Sequence, residues 1–422
     1  MSTDITKSEF KRICVVGLGY VGLPTAAVFA SRGVDVLGCD IDADTVDLVN
    51  QGRVHIVEPD LDILVNGAVA RGKLRAATTP EAADVFIIAV PTPFTDGNQP
   101  DLTHLEAAAE TIAPVLAPNN LVIIESTSPV GTTENFSKSL AAARPDLSFP
   151  HTAGETADVC LVHSPERVLP GRVLIELTRN DRVVGGLTRR CAEQAAAFYR
   201  IAVEGECLLT TAATAELVKL AENAYRDVNI AFANELSAVC DKMGIDVWEA
   251  VRLANHHPRV DILQPGPGVG GHCIAVDPWF IVSSAPDDTP LIRAARGVND
   301  GKPGRVVEAV KSAIAGKDRP TVSCLGLAYK ADIDDLRESP AVEITRALAW
   351  QAAGQVLVVE PHIDTLPDAL ADLPQLKLTD LDTALDDADV IVLLTDHTVF
   401  RASPPTPRAG QVVIDTRGAW RK

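Results

Sequence analysis

Short apolar segments alternate with helix-forming segments over the first 190 residues of the chain. Six apolar segments have the length of β-strands and are rich in Val and Ile: 12–17, 34–40, 84–90, 120–126, 158–164 and 182–186. They lack a strict alternation of apolar and polar residues, which is typical of strands buried on both faces. The pattern predicts an α/β fold in which helices cover both sides of a doubly wound parallel sheet.

The pattern changes in the middle of the chain and then returns. Residues 210–243 contain no Pro or Gly, which predicts one helix of about 30 residues and about 45 Å. Thr214 is its expected N-cap and Gly244 its expected end. A helix of this length is too long for an ordinary crossover, so we expect it to connect domains and to form a dimer interface. Further apolar segments at 321–329, 355–361, 389–395 and 411–417 predict a second sheet of the same kind.

Composition and charge exclude several classes of protein. The 422 residues are 46% hydrophobic and 23% charged, which is ordinary for a globular chain of two or three domains. The 38 basic residues against 57 acidic ones give a formal net charge of −19, which argues against a general nucleic-acid binder. No apolar run approaches the roughly 18–20 residues of a membrane span, and the first residues do not resemble a signal peptide. We therefore expect no membrane insertion and a cytoplasmic location.

The eight cysteines do not indicate a metal site. They form no C-x-x-C pair, and no Cys/His spacing resembles a zinc site, so we expect no metal. Most of them lie in apolar runs, which predicts buried free thiols in a reducing compartment. Cys273 is the exception because glycines crowd the segment in which it lies.

A dinucleotide-binding motif directly follows the first predicted strand. Gly17, Gly19 and Gly22 form G-x-G-x-x-G ahead of a helical segment. Their expected roles are a tight turn, close approach of a pyrophosphate, and close packing of helix on strand. The second strand ends at Asp40, whose carboxylate can accept hydrogen bonds from a ribose 2′-hydroxyl and repel a 2′-phosphate. The motif therefore predicts a cofactor site that prefers NAD to NADP.

The segment 264–280, QPGPGVGGHCIAVDPWF, is unusually rich in glycine around Cys273. Glycine at this density allows the backbone to wrap closely around a ligand or to present a side chain in a tight geometry. Cys273 is therefore either a nucleophile or a small core residue, and the residues alone leave both open. For His272 beside it, a structural role is favoured.

Other candidate residues lie on the long helix and at strand ends. One face of the helix carries Lys219, Asn223 and Arg226. These residues form either a polar stripe exposed to solvent or a site for alcohol oxidation. In such a site the Lys219 cation would stabilise an alkoxide and the Asn223 amide would hold a water or hydroxyl. Glu166 and Arg167 follow the strand at 158–164 and lie either in an ordinary loop or beside a ligand crevice. Two further strand ends carry small polar residues suited to cofactor contacts, Thr92 and Thr127.

These motifs together resemble the UDP-glucose/GDP-mannose dehydrogenase family over nearly the whole chain. The resemblance rests on residues 15–26, 125–133, 164–171, 216–236, 266–280 and 326–341, in this order. It implies two Rossmann-like domains joined by the long central helix and a helical middle domain. The implied boundaries are 1–205 for an NAD-binding domain, 206–305 for a dimerisation domain, and 306–422 for a UDP-sugar-binding domain.

The resemblance also implies the reaction. Members of the family oxidise the C6 primary alcohol of a UDP-sugar to a carboxylate in two steps, each reducing one NAD. An aldehyde has no further hydride to give until a nucleophile adds to its carbonyl, which is why a thiol is needed to form a thiohemiacetal and then a thioester. Residues 257–282 and VPTPF (90–94) most resemble members that act on UDP-N-acetyl-mannosamine, whose uronate product serves surface polysaccharide synthesis.

The family's functional residues can be carried over by motif. Cys273 matches the nucleophile, Lys219 the lysine for alkoxide and oxyanion chemistry, Asn223 and Asp277 the groups that hold a water, and Glu166 the glutamate for thioester hydrolysis. The residues that match the family's NAD contacts are the three glycines of the motif and Tyr20, Val21, Asp40, Thr92, Thr127 and Arg337. Lys219 and Asn223 also match sugar-nucleotide contacts of the family. The other residues that match such contacts are Arg167, Val168, Arg226, His257, Arg259, Gly270, Tyr329, Lys330 and Arg417. Arg259 is expected to reach across a homodimer.

Three other functions are kept as alternatives. The first is UDP-N-acetyl-glucosamine 6-dehydrogenase of the same family, since a few loop residues decide between the two epimers. The second is a single-step NAD dehydrogenase with a structural Cys273. The third is a non-catalytic dinucleotide-binding sensor, which would have no need for Lys219, Asn223, Cys273 and Asp277 together.

Overall fold

The computed structural model of the protein describes residues 10–95, 97–169, 171–271, 273–351 and 354–421. In chain order, their strands are β1 Arg12–Val16, β2 Asp35–Cys39, β3 Leu74–Ala77, β4 Val85–Ile88, β5 Phe94–Thr95, β6 Gln99–Pro100, β7 Leu121–Ile124, β8 Cys160–His163, β9 Arg182–Gly186, β10 Cys207–Thr211, β11 Thr321–Leu325, β12 Gln355–Val359, β13 Leu376–Leu378, β14 Val390–Leu393 and β15 Val412–Asp415.

The described residues also form seventeen helices. They are α1 Gly22–Ser31, α2 Ala43–Asn50, α3 Leu61–Ala70, α4 Thr103–Ile112, α5 Thr132–Ala143, α6 Pro150–Ala153, α7 Val173–Arg179, α8 Arg189–Tyr199, α9 Ala212–Met243, α10 Val247–Ala254, α11 Asp277–Ser284, α12 Pro290–Asp300, α13 Lys302–Ala313, α14 Pro340–Gln351, α15 Asp368–Ala371, α16 Leu381–Asp387 and α17 Thr398–Ala402. Short 3-10 turns lie at Ala113–Val115 and Gly154–Thr156.

The chain divides into two compact units. The first unit contains the residues up to Ala221 together with Trp279–Ser284, and the second contains Glu222–Pro278 and the residues from Ala285 onward. The boundary at Ala221 falls inside α9, so the long helix belongs to both units, as expected of a connector.

The first unit is built on an eight-stranded sheet with the order β10-β9-β8-β7-β4-β1-β2-β3. Successive residues of a strand point to opposite faces, so Ile13 and Val15 of β1 enter one apolar core while Cys14 enters another. The predicted doubly wound architecture is thereby confirmed. One detail differs from a wholly parallel sheet, because β9 runs antiparallel to β8 and β10 follows the direction of β9.

The second unit contains a five-stranded parallel sheet with the order β13-β12-β11-β14-β15. The first five strands of the other sheet have the corresponding order β3-β2-β1-β4-β7. Apolar clusters again lie on both faces, with Cys324 on one face and Leu325 on the other. The two sheets therefore repeat one topology.

The long helix α9 has 32 residues, close to the length expected from the sequence. Its predicted N-cap is wrong: Thr214 lies inside the helix, and its backbone N–H donates to Oγ1 of Thr211 at 3.2 Å. Thr211 also ends β10, so the chain passes from strand to helix without a loop. At the other end Gly244 follows the last helical residue with φ +66°, a conformation that favours glycine.

The sequence pattern missed three of the short strands that complete the two sheets. β3 and β13 have only four and three residues, and β10 lies on an exposed sheet edge directly before α9. Among the described residues, no helix is both long and apolar enough to cross a membrane.

Candidate active site

The glycine motif forms a tight loop between β1 and α1. A methyl group on Gly22 would lie 1.8 Å from the carbonyl oxygen of Gly17, so only glycine fits there. At Gly19, in contrast, an added methyl group would meet no protein atom within 4 Å, and this residue is exposed. The loop therefore has a packed side and an open side, as the approach of a pyrophosphate to the backbone requires. Two half-buried residues complete the loop, Tyr20 and Val21.

Asp40 lies beside this loop at the end of β2. Its Oδ2 accepts the backbone N–H of Leu18 at 2.8 Å, and its Oδ1 accepts the N–H of Asp42 at 3.0 Å. The residue is half-buried, so its carboxylate is oriented by backbone bonds while part of it faces the outside. Such a carboxylate fits the two hydroxyls of a ribose and repels a phosphate.

The two threonines of the cofactor prediction are brought together. Thr92 follows β4 and Thr127 follows β7, and the hydroxyl of Thr92 donates to the carbonyl oxygen of Thr127 at 2.6 Å. Arg337 belongs to the second unit, where its guanidinium forms a two-point ion pair with Asp335.

Glu166 is held at both carboxylate oxygens although it lies in a loop after β8. Oε1 accepts the N–H of Arg167 at 2.9 Å, and Oε2 pairs with the guanidinium of Arg182. Only 8% of the Glu166 side chain is exposed. Glu166 is therefore not a solvent-exposed residue of an ordinary loop. The guanidinium of Arg167 donates to the carbonyl oxygen of Asp181, and Val168 packs against the first apolar core.

The face of α9 that carries Lys219, Asn223 and Arg226 is graded in exposure. Lys219 is half-buried, Asn223 is buried, and Arg226 is exposed. The amide of Asn223 donates to Oδ2 of Asp277 at 2.5 Å, and Asp277 is 2% exposed. A solvated stripe is therefore not the right description of this face at Asn223.

Cys273 stands at the start of the turn that leads into α11. Its carbonyl oxygen accepts the N–H of Val276 at 3.2 Å and that of Asp277 at 2.8 Å. Cys273 thus begins the helical turn that continues into α11. Cys273 is also partly exposed, whereas six of the other cysteines are buried. Its neighbour His272 lies outside the described residues.

The glycine-rich segment before Cys273 packs closely on the loop after β11. A methyl group on Gly270 would lie 2.6 Å from the carbonyl oxygen of Glu338, and one on Gly271 would lie 2.9 Å from the ring of Tyr329. The sequence therefore needs glycine here because two backbones meet. Lys330 follows Tyr329 and is half-buried.

Arg417 lies near the same segment. A methyl group on Gly266 would be 2.8 Å from its guanidinium, which also donates to Asp396 at 3.0 Å. Two other residues predicted to bind the sugar nucleotide, His257 and Arg259, are exposed. The ring nitrogen Nδ1 of His257 accepts the backbone N–H of Arg259 at 3.3 Å.

Sequence reasoning missed three residues of the site around Glu166. Arg182, Glu125 and Tyr199 form a buried polar cluster with it. The available indications were an arginine that opens the apolar segment RVVGG (182–186) and a glutamate near the end of the apolar segment 120–126. Neither indicates which residues meet, because the three are separated by 17 residues or more along the chain.

A group of possible metal ligands lies in the second unit. Atoms of Asp332, His362 and His397 lie within 4.8 Å of one another. However, Nδ1 of His397 accepts the backbone N–H of Asp332 at 2.9 Å, so Nε2 carries the hydrogen and donates to Glu360 at 3.1 Å. The lone pair of this imidazole is therefore already used, and the group does not fit a metal ion.

Comparison with known proteins supports the resemblance to the UDP-glucose/GDP-mannose dehydrogenase family. Three family models match the chain: the NAD-binding domain of the UDP-glucose/GDP-mannose dehydrogenase family at residues 11–203, its central domain at 213–301, and its UDP-binding domain at 323–422. The match extends over most of the chain and follows the order of the motifs.

Similar proteins match over nearly their whole length. An NDP-N-acetyl-D-galactosaminuronic acid dehydrogenase of Ralstonia nicotianae is 59% identical over 98% of this chain and 97% of its own. A UDP-N-acetyl-D-mannosamine dehydrogenase of Yersinia pestis is 57% identical over 98% and 100%. The solved structure of a UDP-D-ManNAc dehydrogenase of Pyrococcus horikoshii is 38% identical, covers 97% of this chain and 96% of its own, and has a TM-score of 0.86. The chain therefore belongs to the UDP-glucose/GDP-mannose dehydrogenase family of NAD-dependent oxidoreductases.

Proposed function

We propose that the protein is a UDP-N-acetyl-D-mannosamine 6-dehydrogenase, which oxidises the C6 alcohol of the sugar to a carboxylate and provides a uronate for surface polysaccharide synthesis. The observation that carries the proposal is the partly exposed Cys273 at the start of a helical segment, ahead of the buried Asn223–Asp277 pair. The 57% identity to the Yersinia pestis relative supports the choice of sugar.

The cofactor is bound by the first glycine loop in this proposal. Backbone atoms of Gly17, Gly19, Tyr20, Val21 and Gly22 hold the pyrophosphate, and Asp40 accepts hydrogen bonds from a ribose. The open side of Gly19 and the orientation of Asp40 by the loop both fit such a ligand. The proposed contacts to the rest of the cofactor are Thr92, Thr127 and Arg337. NAD, when bound, supplies the hydride acceptor for both oxidation steps.

The side chains then divide the chemistry. In the first step Lys219 stabilises the alkoxide of the C6 alcohol as a hydride leaves carbon. The thiolate of Cys273 adds to the resulting aldehyde, and the C–H of the thiohemiacetal gives the second hydride. Water, held by Asn223 and Asp277, attacks the thioester while Glu166 takes its proton, and the C–S bond breaks to release carboxylate and thiolate. One alcohol and one water thus yield one carboxylate, two hydrides and three protons.

The sugar nucleotide is an anionic ligand, and the residues proposed to bind it are accordingly rich in basic side chains. A local basic site can bind a diphosphate on a protein of net charge −19 because electrostatic interactions are screened beyond about 8 Å at physiological ionic strength. The proposed contacts, besides Lys219 and Asn223, are Arg167, Val168, Arg226, His257, Arg259, Gly270, Tyr329, Lys330 and Arg417.

The proposal includes a homodimer of three-domain chains, divided at residues 205 and 305. The spacing of Tyr225, Phe232, Val239 and Met243 puts them along one side of α9, where they are between 46% and 67% exposed. An apolar stripe of this kind needs a cover, and a second copy of the same helix supplies one. Six of the cysteines are buried thiols, which supports a reducing compartment, the cytoplasm.

Mixed dimers test whether Arg259 completes the neighbouring site. Inactive Arg259→Ala and Cys273→Ala chains, mixed at equal amounts and allowed to exchange, should regain about a quarter of the wild-type activity, because half of the dimers then contain one intact site. Each variant mixed with itself is the control. If no activity returns although exchange is complete, each site uses residues of one chain.

A panel of sugar nucleotides tests the function itself. UDP-N-acetyl-mannosamine, with NAD, should give two NADH and one uronate per sugar, and the gluco epimer should react more slowly. The galacto epimer is included because of the name of the Ralstonia nicotianae relative. One NADH per sugar would contradict the four-electron reaction, and no turnover with any sugar would favour a sensor.

A further inference from the structure

A buried ionic cluster lies in the first unit where β7, β8 and β9 approach one another. Arg182, at the start of β9, is 5% exposed and bonds to Oε1 of Glu125 at 2.9 Å. The hydroxyl of Tyr199 donates to the same oxygen at 2.8 Å, and the guanidinium lies 4.3 Å from the centre of the Tyr199 ring. The guanidinium is therefore fixed in place and orientation by two residues of the core.

The other side of the same guanidinium holds Glu166. One nitrogen of Arg182 bonds to Glu125 and another to Oε2 of Glu166, so the arginine bridges two carboxylates. The backbone N–H of Arg167 fixes the second oxygen of Glu166. Because Glu166 lies in a loop, these bonds are what define the direction of its carboxylate.

The reversal of β9 explains how this contact arises. β9 pairs antiparallel with β8, with Val162 opposite Gly186 and His163 opposite Gly185. Continuing this register for three residues puts Glu166 opposite Arg182. A parallel β9 would have put the start of that strand at the far edge of the sheet, away from the loop after β8.

This cluster contributes little net stability to the fold, because burying charged groups costs free energy. Two carboxylates and a guanidinium lose their hydration on burial, and an apolar group of the same volume is often neutral or better. Burial raises the pKa of Glu125, and the nearby Glu166 raises it further against the opposing effect of Arg182. Burial by itself would lower the pKa of Arg182, but the neighbouring Glu166, Tyr199 and Glu125 raise it, so the guanidinium stays charged. We therefore look for a functional reason why the positive charge of Arg182 is kept next to Glu166.

We propose that Arg182, held by Glu125 and Tyr199, is a positioning residue that orients the carboxylate of Glu166 for the hydrolysis of the thioester. The proposal rests on the role of Glu166 in the proposed function. In this step a water oxygen bonds to the thioester carbon, Glu166 takes a proton of the water, and Cys273 leaves as thiolate. Arg182 forms no bond to the reacting atoms and acts only through the direction of the Glu166 carboxylate.

The cluster also reaches the helix that follows the cofactor loop. The hydroxyl of Thr25, in the first turn of α1, lies 3.3 Å from Oε2 of Glu125. A chain of polar contacts therefore runs from the start of α1 through Glu125 and Arg182 to Glu166.

The decisive variant is Arg182→Lys, which keeps a positive charge but cannot bond to two carboxylates in the planar geometry of a guanidinium. With UDP-N-acetyl-mannosamine and NAD, we expect the first turnover to produce two NADH per subunit at nearly the wild-type rate. Later turnover should slow by tenfold or more, and KM should fall with kcat because the steps up to the thioester are unchanged. Intact-mass measurement should detect an acyl adduct on Cys273. Glu166→Gln should give the same adduct.

Hydroxylamine separates positioning from a general loss of structure. It cleaves a thioester without help from a base, so it should restore NADH production in Arg182→Lys and yield a hydroxamate. Arg296→Lys is the matched control, because Arg296 is 3% exposed and paired with the buried Asp227 in the second unit. That variant should lose stability without accumulating the adduct.

Tyr199→Phe gives a second test if Arg182→Lys does not fold. It removes one hydrogen bond to Glu125 and should slow hydrolysis about threefold, with a smaller adduct population. The inference is overturned if both variants hydrolyse the thioester at the wild-type rate, or if they lose the first NADH burst together with turnover. A wild-type enzyme that gives one NADH per sugar, or no turnover, would instead overturn the proposed function, and this inference with it.

Discussion

The two sheets begin alike and differ at the loop that follows their first strand. Gly17 and Gly326 both have φ +92°, and each N–H donates to the end of the second strand at 2.8 Å, to the carbonyl oxygens of Cys39 and Val359. The sequences that follow, GLGYVG at 17–22 and GLAYKA at 326–331, keep the same apolar residue at the second position. Both of these leucines are fully buried, so the loops share one anchor.

The loops diverge at their second and third glycines. In the first unit α1 starts at Gly22 itself, directly under the loop. In the second unit the corresponding residues are Ala328 and Ala331, and the described residues 332–339 hold no helix before α14 starts at Pro340. The second sheet therefore keeps the turn but lacks a helix N-terminus at the place where a dinucleotide pyrophosphate would bind.

The acidic residues at the ends of the second strands differ in the same way. Asp40 is half-buried, and each of its carboxylate oxygens accepts one backbone N–H. Glu360 is 5% exposed, and it accepts the N–H groups of Leu327 and Ala328 and a bond from His397. An acidic residue at this position thus indicates a ribose site only where the loop leaves its carboxylate accessible, and the comparison assigns the dinucleotide to the first sheet.

The largest expected effect tests the division of labour between the units. Cys273→Ala should keep NAD binding by the first unit but lose at least about 10³-fold in uronate formation, or about 4 kcal/mol of transition-state stabilisation. NADH and uronate are measured together. Cys324→Ala, in the buried β11, is the matched control and should keep the activity. A Cys273→Ala enzyme that makes uronate at a near wild-type rate would refute the covalent route.

The next effect tests the loop itself. Gly22→Ala puts a methyl group 1.8 Å from the Gly17 oxygen, so the loop must open. We expect a loss of at least about 2 kcal/mol of stability and a large loss of NAD affinity. The matched change in the second sheet, Ala331→Gly, should cost only about 0.5–1 kcal/mol of backbone entropy. Thermal unfolding and NAD titration measure both, and equal effects of the two changes would contradict the comparison.

The acidic residues should give opposite phenotypes. Asp40→Ala should weaken NAD about tenfold and narrow its advantage over NADP, with a small change in stability. Glu360→Gln should leave the ratio of NAD to NADP unchanged but lower the free energy of unfolding by about 1–3 kcal/mol at pH 7. Steady-state kinetics with both cofactors and denaturant unfolding test the pair. A wild-type enzyme that uses NADP as well as NAD would show that Asp40 is wrongly assigned.

The pH dependence of the Glu360 effect has a definite sign. Burial raises the pKa of Glu360, but the bonds from His397, Leu327 and Ala328 outweigh it and hold the pKa below its ordinary value. The stabilisation is thus present above the unfolded-state pKa of about 4.3 and is lost as the pH falls through the folded-state value. The unfolding free energies of wild type and Glu360→Gln should therefore converge in acid, and a gap that stays constant to low pH would contradict this ionised pairing.

The smallest effect concerns the open side of the cofactor loop. A methyl group on Gly19 meets no protein atom within 4 Å, so Gly19→Ala should leave the melting temperature unchanged. It should still weaken NAD by about three- to tenfold, because the added group stands where the phosphate approaches the backbone. A variant that melts early but binds NAD normally would contradict this description of the loop.

The local sequence by itself determined much of this protein. Buried strands, the glycine loop, Asp40 and the length of α9 follow from residue pattern and backbone conformational preferences, which act over a few neighbours. Gly22 and the glycines before Cys273 are required by close contacts of the backbone, which the two glycine-rich motifs already predict. The Asn223–Asp277 pair was expected as a set of residues, while the 2.5 Å bond between them became visible only in the fold.

The tertiary structure alone decided the contacts that depend on strand direction and register. The apolar pattern of RVVGG predicts a strand but not its reversal, and it is the reversal that brings Arg182 opposite Glu166. The pairing of Glu360 with His397 is likewise decided by the fold, since the two are 37 residues apart. Hydrophobic pattern specifies which residues are buried, whereas the partner of a buried charge is fixed only when distant strands and loops come together.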